Sequence, residues 1–213
     1  MARRVRVKIC GITNLDDAAA SVEAGADALG FIFWRKSPRY VEPNFAKQII
    51  ATLPPLVVPV GVFVNEDVST VRSIMDSSGL ALAQLHGDEP PVYCQELGRP
   101  VVKALRLKDR ASFLALAEFQ GRAGVRGFVL DAYSETAYGG TGEVANWTLA
   151  AEAARAAVVL LAGGLTPDNV TDAINTVRPY GVDVSSGVES SPGKKDHGKI
   201  RAFLDAVRVV SSA

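Results

Sequence analysis

The sequence predicts an α/β protein built as a single (β/α)8 barrel, on three observations. Eight short β-branched runs alternate with eight Ala- and Leu-rich amphipathic stretches. The runs are continuously apolar, as parallel strands covered by helices require. The 213 residues divide into units of about 27, a lean version of this barrel. A doubly wound sheet is the alternative, and eight evenly spaced units favour closure. No composition break or Ser/Pro-rich linker interrupts the chain, so residues 1–213 are read as one domain.

The elements follow in order. Strands are predicted at 5–10, 28–33, 57–63, 81–85, 101–105, 127–131, 158–162 and 181–185. Helices are predicted at 15–24, 43–52, 67–78, 90–97, 110–119, 147–156, 168–176 and 197–209. Asn14 is placed to cap the first helix, with Asp16 and Asp17 in its first turn. Gly25 suits the end of that helix, and Thr166-Pro167 reads as a cap followed by a first-turn proline.

Composition narrows the function. Lys plus Arg number 23 and Asp plus Glu number 23, a zero formal charge that points to neither nucleic acid nor an anionic membrane as partner. The longest apolar runs, such as 158–162, are strand-length and too short to span a bilayer. The N-terminal MARRVRVKICG lacks the apolar core and cleavage site of a secretory signal. Two cysteines, Cys10 and Cys94, make no disulfide framework and no zinc set. A reducing, cytoplasmic compartment is expected. With only His86 and His197 as histidines, chemistry must come from Cys, carboxylates, Arg, Lys and backbone amides.

In such a barrel the active site sits at the C-terminal ends of the strands. The polar residues there are Lys8, Cys10, Arg39, His86, Arg106, Asp131 and Asp183. Cys10 reads as a reactive thiolate or base beside cations, or as a small buried core residue. Cys94, inside a helix, is read as structural. Asp131 follows the apolar FVL and is a general acid or a paired carboxylate, and Asp183 faces the same choice. Strand alternation decides which of them point inward. Lys8 supplies positive potential to Cys10 or pairs a carboxylate in the barrel core. Arg39, in RKSPRY, clamps a carboxylate or sits in a solvated basic loop. His86 orients a substrate or ties down a loop. AGGL (162–165) and SSGVES (185–190) follow strands 7 and 8, where backbone N–H groups often cradle phosphate. GGTG (139–142) makes a mobile cover or a plain connection. Spacing yields a phosphate-binding barrel with a Cys and one or two Asp at its mouth, without the reaction.

The motifs KICGIT (8–13), GFIFWRKSPRYV (30–41), GVFVN (61–65), QLHGDE (84–89), VLDAY (129–133), YGGTG (138–142), LAGGLTPDNV (161–170) and GVDVSSGVES (181–190) occur in this order along nearly the whole chain. Together they resemble the phosphoribosylanthranilate isomerase family of tryptophan biosynthesis. The resemblance implies an Amadori rearrangement without cofactor or metal. It implies Asp131 as general acid and Cys10 as general base. It also implies Arg39 at the anthranilate carboxylate and Gly163, Gly164, Ser186 and Gly187 at the phosphate, with His86 and Asp183 near the substrate. Asp131 would then need a raised pKa and Cys10 substantial thiolate character. One departure is visible: Ala145-Asn146 precedes Trp147 where the family usually has Phe-Asp, and Asn still suits a helix cap. Related phosphate-binding barrels use Lys/Glu, Glu/Asp or an Asp pair, and Cys10 with Asp131 speaks against them. A non-catalytic phospholigand-binding barrel is the alternative from another class. Monomer and homodimer are both compatible with the sequence.

Overall fold

The structure is a computed structural model that describes residues 4–131 and 147–211. Eight parallel strands close in sequence order into a barrel: β1 (Arg6–Cys10), β2 (Ala28–Ile32), β3 (Val58–Phe63), β4 (Leu82–Leu85), β5 (Val101–Arg106), β6 (Val125–Asp131), β7 (Val159–Leu161) and β8 (Gly181–Val184). The seam joins β1 to β8, with Arg6 opposite Gly181 and Lys8 opposite Asp183. The covering helices are α1 (Leu15–Glu23), α2 (Pro43–Ile50), α3 (Val68–Ser78), α4 (Pro91–Leu97), α5 (Arg110–Phe119), α6 (Trp147–Ala156), α7 (Val170–Val177) and α8 (His197–Ser211).

Strand alternation divides the apolar residues into two cores. Ile9, Leu29, Phe31, Phe63, Leu85 and Leu130 point outward and are buried under helix residues such as Ile49, Met75, Leu97 and Phe203. Val102, Ala104, Val129 and Ala162 point inward, with Leu82 and Leu160 packed against them. Two-residue periodicity then fixes the remaining positions. Asp131 shares the inward side of β6 with Val129, and Lys8 and Cys10 lie inward on either side of Ile9. Cys94 is fully buried in the outer core.

The helix ends follow the expected chemistry, with one correction. The Asn14 side chain accepts from the Asp17 amide at 2.8 Å. Thr166-Pro167 does not cap α7, which begins a turn later at Val170 behind Asn169. The Asn169 side chain instead accepts from the Thr166 amide and donates to the Gly164 carbonyl, each at 2.8 Å. Both ends of its amide are thus used to close the AGGL turn. At the other end of α7, Arg178 adopts φ 53°, a left-handed cap that favours glycine. Arg178→Gly is expected to raise stability by about 0.5–1 kcal/mol in urea unfolding.

Between β8 and α8 lies structure the sequence did not announce. A 3-10 turn at Ser186–Val188 leads into an antiparallel ribbon of β9 (Glu189–Ser191) and β10 (Lys194–Lys195). Strands of two and three residues are shorter than any periodic signal.

Candidate active site

All nine candidate residues line one cleft at the C-terminal mouth of the barrel. Cys10, Arg39, His86, Asp131 and Asp183 supply side chains, and Gly163, Gly164, Ser186 and Gly187 form one wall. The cleft opens to solvent at the barrel mouth, as a site for a small molecule must. Arg106 is not among its lining residues and borders a neighbouring cleft with Lys108 and Ser112.

Below the cleft, Lys8 Nζ meets both Asp183 oxygens at 2.9 and 2.8 Å, and both side chains are buried. Of the two readings of Lys8, the paired core lysine is the one realised, although its ammonium also reaches Cys10 electrostatically. Burial pushes the Cys10 thiol up; the Lys8 charge opposes this, Asp183 adds to it, and the thiol remains above its ordinary value. The thiolate character expected of Cys10 is therefore opposed by desolvation and by the carboxylate that holds its nearest cation.

Arg39 makes a carboxylate clamp, with the protein's own Glu189. Nε and Nη2 donate to Oε1 and Oε2 at 2.8 and 2.7 Å, which leaves the Nη1 edge of the fork. Lys195 completes the group: its buried ammonium donates to Glu189 Oε1 at 2.9 Å, to the Cys10 carbonyl at 2.6 Å and to the Ser185 carbonyl at 3.2 Å. Burial alone would push the Glu189 carboxyl up, but hydrogen bonds and charge from Arg39 and Lys195 hold it below its usual value. Its stabilising contribution is complete above the ordinary glutamate pKa of 4.5 and is lost as pH falls through the lower folded value. Glu189→Gln is expected to flatten the acid limb of the stability curve below pH 4.5, measured by thermal unfolding.

Opposite this group, His86 Nε2 lies 3.2 Å from Asp131 Oδ2, close in distance but off the axis of an aligned hydrogen bond. The loop carrying His86 is fixed from behind. Glu89 accepts from the Asn65 amide at 2.8 Å and from the Gly87 amide at 3.0 Å. Lys103 Nζ donates to Glu89 Oε2 at 2.6 Å and to the Gly87 carbonyl at 2.7 Å.

The Gly wall is set by close approach. A Cβ on Gly187 would lie 1.9 Å from the Leu165 carbonyl oxygen, so the turns after β7 and β8 touch backbone to backbone there. Gly163 and Gly164 both take positive φ, at 86° and 66°, which keeps their turn open to an anion. Gly187→Ala is expected to raise KM about 10-fold or more in steady-state assays, because the turns must part.

Comparison with known proteins decides the family. The description "PRAI: N-(5'phosphoribosyl)anthranilate (PRA) isomerase" matches residues 7–206. The chain belongs to the phosphoribosylanthranilate isomerase family. It is 52% identical over 200 residues to N-(5'-phosphoribosyl)anthranilate isomerase of Pelobacter propionicus, covering 94% of each chain. It is 53% identical to that of Geobacter sulfurreducens, over 94% of this chain and 97% of the relative. The crystal structure of phosphoribosyl anthranilate isomerase from Thermotoga maritima superposes with a TM-score of 0.90 at 42% identity, covering 96% of this chain and 99% of that one. Another solved member, at 40% identity and TM-score 0.86 over 96% of this chain and 99% of its own, is a complex with reduced 1-(o-carboxyphenylamino)-1-deoxyribulose 5-phosphate.

Family membership accounts for the motif order in the sequence. The GGTG segment at 139–142 and the Ala145-Asn146 departure from the family pattern lie outside the described residues. Sequence reasoning missed Glu189, Lys195 and Gln84, which surround the candidate side chains. A signal existed for Gln84, a polar residue at an inward position of β4 two before His86. Among the described residues no helix is long and apolar enough to cross a membrane.

Proposed function

We propose that this barrel, one domain over residues 1–213, converts N-(5-phosphoribosyl)anthranilate to 1-(o-carboxyphenylamino)-1-deoxyribulose 5-phosphate. The observation that carries the reading is that a carboxyl and a thiol share one cleft between an arginine fork and two Gly turns. The substrate carries a carboxylate at one end and a phosphate at the other. Backbone amides at Gly163, Gly164, Ser186 and Gly187 suit the phosphate. The Nη1 edge of Arg39, oriented by Glu189, suits the carboxylate. His86 and Asp183 line the space between.

Asp131 gives its proton to the furanose ring oxygen. The C1′–O bond breaks, and the anilino nitrogen lone pair forms the C1′=N double bond of a Schiff base. Cys10 thiolate then takes the C2′ proton; the C–H electrons form C1′=C2′ and neutralise nitrogen, giving an enolamine that tautomerises to the ketone. The oxidation change is internal to the molecule, so the reaction needs no external electron acceptor. Because the base must be deprotonated and burial holds Cys10 up, the limb of kcat/KM that reports the thiol is expected to lie above about pH 9, the ordinary thiol value.

The test is a fluorescence assay with freshly prepared phosphoribosylanthranilate, whose signal decays as substrate is consumed. Turnover by the wild type supports the reading. A folded protein that binds the reduced product analogue and turns nothing over would be a phospholigand-binding barrel instead.

A further inference from the structure

We propose that Lys195 is a positioning residue for the base: the Arg39–Glu189–Lys195 group holds two cations on one carboxylate, and its surplus positive charge favours the Cys10 thiolate. The proposal rests on the reading of Cys10 as the general base.

Two ion groups border Cys10, and they differ in charge. Below it, the Lys8 ammonium meets both Asp183 oxygens, so that pair is neutral as a whole. Beside it, Arg39 and Lys195 share Glu189. Lys195 is 3% exposed, and its three donors meet three oxygens: Glu189 Oε1 at 2.9 Å, the Cys10 carbonyl at 2.6 Å and the Ser185 carbonyl at 3.2 Å. Three acceptors call for three N–H groups, so the side chain is an ammonium; a neutral amine would turn its lone pair on one of them. No donor of Lys195 is left for a substrate, whereas Arg39 keeps its Nη1 edge for one.

Buried charges are ordinarily matched. Here the unmatched cation is fixed on the peptide of the thiol's own residue, where burial weakens screening. Its charge lowers the Cys10 thiol, as that of Lys8 does more strongly, against the burial that pushes it up. Burial in turn lowers the Lys195 ammonium, opposed by Glu189 and by Cys10 itself. The other charges nearby sit differently. Asp17 of α1 accepts from the Lys195 backbone amide at 2.9 Å, at the end away from the ammonium, and is paired with His197 at 2.9 Å. Lys199, exposed on α8, donates to the Glu189 backbone carbonyl at 2.9 Å. Asp131 and His86 line the same cleft as Cys10 and are common to every variant below.

The charge count gives a signed test. The chain has two cysteines, so 13C labelling at cysteine Cβ yields two NMR signals whose shifts follow thiol ionisation, with Cys94 recognised from a Cys94→Ala spectrum. The ligand-free protein is titrated. Lys195→Met removes the surplus and should raise the Cys10 midpoint by about one pH unit or more. Glu189→Gln enlarges the surplus and should lower the midpoint by a similar amount. Lys195→Met/Glu189→Gln restores the original count and should titrate near the wild type. A merely structural network would move all three the same way, the double variant at least as far as either single one. In turnover at neutral pH, Lys195→Met should lose about 10-fold in kcat, with KM changed less than about 3-fold, and should recover as pH is raised. An unmoved Cys10 midpoint in Lys195→Met overturns the proposal, as do shifts of the same sign in the two single variants. If Lys195→Met does not fold, or unfolds in alkali before its thiol titrates, Glu189→Gln decides: a midpoint that is unmoved or raised overturns the proposal. If Cys10→Ser retained full activity the base reading itself would fail, an outcome separate from the titration, which is read without turnover.

Discussion

Cys10→Ser and Asp131→Asn are each expected to lower kcat by ~10²–10⁴, the usual worth of a positioned base or acid. Both changes keep size and polarity, so the fold and the binding of a product analogue should survive. The two variants fail differently. Serine cannot reach the anionic form that takes the C2′ proton, so Cys10→Ser should show no recovery at high pH. Asparagine cannot donate the proton that opens the ring, so Asp131→Asn should be slow throughout the accessible range. Single-turnover fluorescence decay, beside calorimetric binding of the reduced product, separates chemistry from affinity. A Cys10→Ser enzyme within a factor of a few of wild type would remove the thiol from the mechanism.

Lys8→Met carries the other large effect. It leaves Asp183 buried with no cation on either oxygen, and breaking a buried pair in this way costs about 3–5 kcal/mol. In a chain of 213 residues that is a fall in Tm of roughly 10 °C. Lys8→Met/Asp183→Leu should restore much of the stability, because an apolar pair of similar volume avoids the desolvation cost. The single variant should also shift the alkaline limb of kcat/KM to higher pH, since Lys8 is the charge that opposes burial at Cys10. Chemical denaturation and a pH–rate profile check the two parts independently. A stability loss under ~1 kcal/mol would mean that water reaches Asp183.

Much of this was legible in the sequence. The apolar strands carry their own periodicity, and each predicted strand and helix overlaps an observed one. Polar residues at the strand exits stood out because burying them needs partners, which is why Cys10, Asp131 and Asp183 were identifiable from residues alone. What was not legible is partner choice. Arg39 announces a carboxylate clamp, but nothing in RKSPRY names Glu189, which lies 150 residues away. Lys195 and Glu189 were not singled out, because the ribbon that buries them is too short to show a pattern. Thr166-Pro167 misled because the Asn169 side chain, three residues on, accepts from the Thr166 amide and donates to the Gly164 carbonyl, which draws Thr166 into the AGGL turn.

The seam between β1 and β8 has a consequence for how the protein comes into being. Lys8 meets Asp183 across 175 residues, and Lys195 reaches the Cys10 carbonyl across 185. During synthesis the thiol therefore emerges long before the groups that surround it, and a nascent chain ending after β7 has no seam, no ribbon and no Ser186–Gly187 wall. Such sequence-distant contacts are the slow ones to form. Catalytic competence should arrive as a late, all-or-none event once β8 and the ribbon have emerged, and products terminated before them should be inert and exposed to proteases.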